Sequence, residues 1–340
     1  MRKFEVVASE LVLSGFFHEY IHDIQELEHD IGELQILTSW KRLLFSEADL
    51  LLDISYERWE ELFQIEPMFR MLEKSSQGGG SKIQFSPGII KTLTETEIIN
   101  EFPSLICLTE KETDNLSLEN GRLFLSQREM KSTGKILFNN SIFLVSKVPS
   151  VKNTLKSWEE LATDVIPLTD IVIIDNYLLN HEGLENLISI IKGIIPDRQS
   201  AGPIKISILT GLFKDTPQQI KDKGNLWYSE FTKQIHAKIK NLSFEVSLGI
   251  FSNISLNHDR SLLTNYIWID SDHGFNCFTN RGIPKVTTTI KLLPIFSPSG
   301  NHKSSVSSFD CWSELRNHAK SLIKKCDFTI GIFKNNLLLK

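Results

Sequence analysis

No stretch of this 340-residue chain holds the roughly 20 consecutive apolar residues that a membrane-spanning helix needs. A secretory leader is not expected either, because MRKFEVVASELVL opens on two basic residues but carries acids inside its apolar stretch. Cysteine is scarce. Cys107, Cys277, Cys311 and Cys326 are scattered without a CxxC pair, which argues against a disulfide framework or a Cys-rich zinc site. Thiols kept reduced in the cytoplasm are the expectation. A phosphate loop of Walker spacing is also missing, since Gly78-Gly79-Gly80-Ser81-Lys82 lacks the required separation of its glycines. Charge of one sign is weak overall, with 37 Lys and Arg against 42 Asp and Glu, a net of −5. It is uneven, however. Residues 1–75 carry 16 acids and 7 bases, a net of −9, so residues 76–340 total +4. The acidic start reads as a solvated helical face or a protein contact, and the remainder is too weakly basic to argue for nucleic acid by charge alone.

Hydrophobic periodicity gives a mixed α/β chain in three parts. Residues 1–75 are expected to be α-helical. Leu13, Phe17, Tyr20, Ile24, Leu27, Ile31 and Leu34 alternate spacings of three and four, which puts them on one stripe of a helix over 8–37. Further helices are expected over 40–54 and 57–73, after which Ser75–Ser81 with its three glycines reads as a linker or loop. Residues 76–163 hold that linker and a small β-rich segment, with runs at 105–108, 122–125 and 136–145 separated by turn signals.

From residue 164 strands alternate with helices. Strands are expected at 171–174, 204–209, 244–251 and 262–269, and helices at 184–195 and 227–240. The continuous apolar run Ile171–Ile174 is typical of a strand buried on both faces, and the alternation predicts a mostly parallel sheet. A helix over 311–325 and a strand over 328–333 close the chain.

Within this part the chain reads His258-Asp259-Arg260, four residues, then Asn265, and later His273-Gly274-Phe275-Asn276. It also shows Asp175-Asn176-Tyr177 after the first strand, Leu209-Thr210 closing the next, and Trp268-Ile269. In order and spacing, residues 165–296 resemble the phospholipase D superfamily, and most closely the phospholipase D-like C-terminal domain of microtubule-interacting-and-trafficking proteins. Related HDR-type domains are common among bacterial defence and conflict proteins, so the resemblance implies an antiviral defence setting. It implies His258 as the nucleophile or phosphate ligand, with Arg260, Asn265 and Asn276 as phosphate-binding residues. Arg260 suits that role because a guanidinium fork grips two oxygens. Asn265 departs from the family's aspartate, and a neutral amide cannot stabilise an imidazolium as a carboxylate does. Only one such motif is present, so phosphodiester cleavage would need a homodimer. Recognition of a phosphate-containing ligand (nucleic acid or nucleotide) or of a protein partner, with weak or no turnover, is the expectation. A dimeric phosphodiesterase or nuclease is one alternative.

Another alternative lies near the start. His18-Glu19-Tyr20-Ile21-His22 is an HExxH, whose two imidazoles share a helix face and can hold Zn2+ while the glutamate activates water. The string from Phe16 to Gln25 resembles bacterial zincin peptidases. That resemblance implies a zinc peptidase with Glu19 as catalytic base, His18 and His22 as ligands, and Glu47, in Ser46-Glu47-Ala48-Asp49, as the third. His29 is the rival third ligand.

Overall fold

The computed structural model describes residues 4–26, 31–95, 104–110, 116–148, 154–161, 166–196, 202–253, 260–297 and 308–339, with residues 20–26 described by backbone alone. The chain is mixed α/β and divides into two compact units, 1–139 and 140–340.

The first unit is a five-stranded sheet in which every neighbouring pair is parallel. Its strands are β1 (Phe4–Ala8), β2 (Ala48–Leu52), β3 (Ile83–Phe85), β4 (Ile106–Leu108) and β5 (Leu123–Leu125), in the order β3-β2-β1-β4-β5. The connections are helical: α1 (Glu10–Glu26) and α2 (Ile31–Arg42), then α3 (Tyr56–Ile65) and α4 (Pro67–Gln77), α5 (Ile89–Glu95) and α6 (Leu116–Asn120). The helix α7 (Gln127–Phe138) follows β5. Strands of a parallel sheet covered on both faces read as apolar runs, and the clearest here are on the β4–β5 side. β4 and β5 are buried at every residue. One face packs Val7, Cys107 and Phe124 against Leu93 and Leu105. Elsewhere in this unit, Trp40 of α2 donates its indole N–H to the Met130 carbonyl of α7 at 2.8 Å and meets Phe138 edge-on at 5.0 Å.

This corrects the reading of residues 1–75 as helical and of the following segment as a separate β-rich part. β1 and β2 lie among those helices, and β4 and β5 complete their sheet. Ala48–Leu52 is preceded by a π-helical turn, Leu43–Glu47, and its alternate residues are buried, so pairing with β1 overrides its helix-compatible composition. Helix 57–73 is divided at Glu66-Pro67, because Pro67 starts a new helix at its first position. The stripe expected over 8–37 is interrupted: Ile31 and Leu34 are exposed, and α2 buries Ile36, Leu37 and Trp40 instead. The glycine segment is a connection inside this unit, with Ser81 buried and its N–H donated to the Phe45 carbonyl.

The second unit is an eight-stranded sheet ordered β13-β9-β8-β7-β10-β11-β12-β6. Here β6 is Ser141–Val145, β7 Asp170–Ile174, β8 Ile204–Gly211, β9 Phe244–Phe251, β10 Ser261–Thr264, β11 Ile267–Ser271, β12 Thr288–Pro294 and β13 Phe328–Ile330. β7, β8 and β9 are parallel, joined through α8 (His181–Ile194) and α9 (Pro217–Lys238). The other pairings are antiparallel. The sheet is therefore mixed rather than mostly parallel. The single strand expected over 262–269 is a tight hairpin, β10 and β11, turning at Asn265-Tyr266. The β-run expected over 136–145 is the end of α7 followed by β6. α10 (Ser308–Ile323) precedes β13. No helix among the described residues is long and apolar enough to cross a membrane.

Candidate functional site

In open α/β sheets ligands bind outside the carboxyl ends of the strands, where the loops bring side chains together. In the second unit that end of β7 carries Asp175. Its carboxylate is buried; Oδ1 accepts the Tyr177 N–H at 3.0 Å and Oδ2 accepts the Phe275 N–H at 2.7 Å. The loop after β11 is thereby tied to the end of β7. The tie requires Gly274, which has a φ of +86°, and a Cβ there would come within 2.7 Å of Asp175 Oδ2 and 3.1 Å of Arg260 Cδ. Ser271 reinforces the loop by donating its hydroxyl to the Gly274 carbonyl at 2.6 Å.

Arg260 immediately precedes β10, which pairs antiparallel with β7, so its side chain emerges beside Asp175. Nη1 donates to the Asp272 carbonyl at 2.8 Å, and the guanidinium carbon stands 6.0 Å from the Tyr177 ring centre. Nε is buried and makes no hydrogen bond. Tyr177 is 48% exposed beside this cation. The Asp272 carboxylate pairs with Lys291 at 3.4 Å, not with Arg260. Burial pushes the Asp175 carboxyl above its ordinary range, opposed by the two backbone N–H groups and the Arg260 charge. Thr210, the residue before the last of β8, accepts the Leu178 N–H at 3.4 Å and holds the segment after Tyr177.

The residues expected from the sequence are thus only partly brought together. Arg260, Gly274 and the Asp175-Asn176-Tyr177 turn converge. His258 and Asp259 lie outside the described residues. Asn265 is at the opposite end of β10, fully buried, where its Oδ1 accepts the N–H groups of Thr169 at 2.9 Å and Asp170 at 3.1 Å. The implied phosphate-binding role for Asn265 is corrected accordingly: its carbonyl holds the amino end of β7. Asn276 is half-buried next to the site, but its amide donates to Asn180 at 3.4 Å and its oxygen accepts from Lys285 at 3.2 Å and Asn186 at 3.3 Å. The sequence motif contains Asp175 and Tyr177 but assigns neither a role. The signal for Asp175 was its place directly after a continuous apolar strand, the end of the sheet where ligands bind.

In the first unit, His18, Glu19 and His22 all lie on α1. His18 is exposed, with its ring 6.1 Å from that of Phe17, and Glu19 is half-buried. Glu47 ends the π-helical turn before β2, where its carboxylate forms an ion pair with Arg42, 3.0 Å from Nε. His29 lies outside the described residues. Among the described residues no group of three His, Cys, Asp or Glu side chains is placed to hold a metal ion.

No family model and no curated protein matches this sequence.

Proposed function

We propose that the second unit recognises a phosphate-containing ligand, a nucleotide or nucleic acid, at Arg260, with weak or no turnover. The observation that carries this reading is the guanidinium at the carboxyl end of β7. One nitrogen is fixed by a backbone carbonyl, Nε makes no hydrogen bond among the described residues, and a half-exposed tyrosine stands alongside. A fork held in one orientation loses little entropy on gripping phosphate oxygens. Asp175 is a positioning residue: it holds the loop bearing Gly274 and moderates the local positive charge. In this reading the bacterial defence setting that the resemblance implies is where such a ligand would be met.

The test is calorimetric titration of the full chain with a short oligonucleotide and with inorganic phosphate. Arg260→Lys is expected to weaken binding about tenfold, because a point charge replaces the fork. The melting temperature should stay unchanged, and the loss should shrink at high salt. Absence of binding to either probe, or equal affinity in Arg260→Lys and Arg260→Ala as in the parent, would overturn the proposal.

A further inference from the structure

The strand order of the first unit reverses at β1. From β1 the chain moves outward to β2 and β3, then returns to place β4 on the other side of β1. Such a reversal leaves a crevice at the carboxyl ends of the two central strands, because their following loops run in opposite directions. A crevice of about 460 Å³ is present there. It is lined by Leu11, Val12 and Glu19 of α1, by Glu110 just beyond β4, and by Ser126, Gln127 and Arg128 just beyond β5.

The three charged side chains on this wall are the informative part. Among the described residues, Glu19, Glu110 and Arg128 make no ion pair or side-chain hydrogen bond, whereas Glu10, at the start of the same helix, is paired with Arg58 through its Nε at 3.0 Å. Ser126 is not available to them, because its hydroxyl and N–H both donate to the Glu129 carboxylate at 2.6 Å. Gln127 is drawn aside as well, lying over Gly15 where a Cβ would collide with its amide. Two carboxylates and one guanidinium therefore line one crevice without neutralising each other. Their complement is a small molecule with the opposite arrangement.

We infer that this switch-point crevice is a second ligand site, for a small zwitterion of the basic amino-acid class. The ligand's carboxylate meets Arg128, its two cationic groups meet Glu19 and Glu110, and its alkyl stem lies on Leu11 and Val12. A nucleotide is disfavoured, since its phosphate would bring two negative charges to a wall that is already −1. Glu19, the second residue of HEYIH, is a binding carboxylate in this site.

The test is titration of the full chain with L-lysine, L-norleucine, L-glutamate and AMP, followed by NMR chemical shifts. L-lysine is expected to bind most tightly, L-norleucine about tenfold more weakly for want of the second ammonium, and L-glutamate and AMP weakest. Glu110→Gln should reduce lysine affinity about tenfold and leave norleucine less affected, while Arg128→Gln should weaken both. Glu110 and Arg128 are exposed, so both variants should melt with the parent. Absence of lysine binding, lysine binding insensitive to both substitutions, or a preference for AMP would each overturn the inference.

Discussion

At the scale of single residues, an amide rather than a carboxylate at Asn265 has a local cause. Asp170 is fully buried, and its carboxylate already takes hydrogen bonds from Thr169 Oγ1 at 2.6 Å, Asn336 N at 2.7 Å and Asn265 Nδ2 at 3.4 Å. A second carboxylate at 265 would lose that donor and face a like charge in a dry environment. Asn265→Asp is therefore expected to cost at least about 2 kcal/mol at neutral pH, with part of the loss recovered at acid pH as the new carboxyl, its pKa raised, takes a proton. Chemical denaturation at two pH values checks this. Asp175 gives the second residue-scale expectation. Its folded pKa lies above the unfolded one, so its contribution to stability is fully present below the unfolded value and is lost as pH rises through the folded value. Arg260 opposes that rise. In Arg260→Ala the Asp175 midpoint should move further up, and the melting deficit relative to the parent should widen between about pH 4 and about pH 8. A deficit constant with pH would show that Arg260 does not moderate Asp175. What the sequence showed here was the set of motif residues. What it did not show was that Asn265 and Arg260 stand at opposite ends of a four-residue strand, because only the two polar residues Thr264-Asn265 mark the hairpin between Leu262 and Ile269.

At the scale of elements, the second unit was largely legible. The run Ile171–Ile174 is β7, Phe244–Phe251 is β9, and the expected helix over 184–195 is α8, ending before Pro196. These are long or continuous patterns, and local preference agrees with the fold. α9 was found but begins ten residues earlier than expected, at Pro217. Its first turns are polar and carry little periodicity, yet they are set by Thr216, whose side chain accepts the Gln219 N–H while Gln219 caps in return, with proline at the first helical position. Thr216→Ala should cost about 1 kcal/mol, read as a lowered denaturation midpoint with an unchanged slope. The first unit was the harder case. Its strands are three to five residues long, too short for a period-two pattern, and β2 reads equally well as the end of a helix until β1 and β3 are placed beside it.

At the scale of the molecule, the boundary falls at Asn139/Asn140, not at the glycine run that looked like a linker. Ser75–Ser81 has the composition of a linker but is fixed by backbone bonds from Gly80 to Ser75 and from Ser81 to Phe45. The true boundary is marked only by the turn signal Asn139-Asn140, which reads no differently from turns inside the units, because it is the short step from the last helix of one sheet to the edge strand of the next. Each unit consequently has its own strand ends and its own crevices, and Glu19 and Arg260 belong to different units. The candidate site around Arg260 was legible because a resemblance pointed to it. The crevice around Glu19 and Arg128 was not, since its residues come from α1, the end of β4 and the start of α7, spread over more than a hundred positions, and meet only once the strand order is known.

The buried anchor at Asp170 also sets a schedule for synthesis. β7 is the central strand of the second sheet, yet Asp170 is hydrogen-bonded by Asn336, and Asn335 donates to the carbonyls of Ile171 at 2.8 Å and Lys205 at 3.0 Å. Those partners are made some 130 to 166 residues after the groups they satisfy. While the chain is still on the ribosome, a nascent β7 and β8 carry a charged side chain and two carbonyls with their partners still inside the machine. The first unit, whose strands are closed by residue 125, can settle as it emerges; the second must wait for nearly its whole length before its centre is dry.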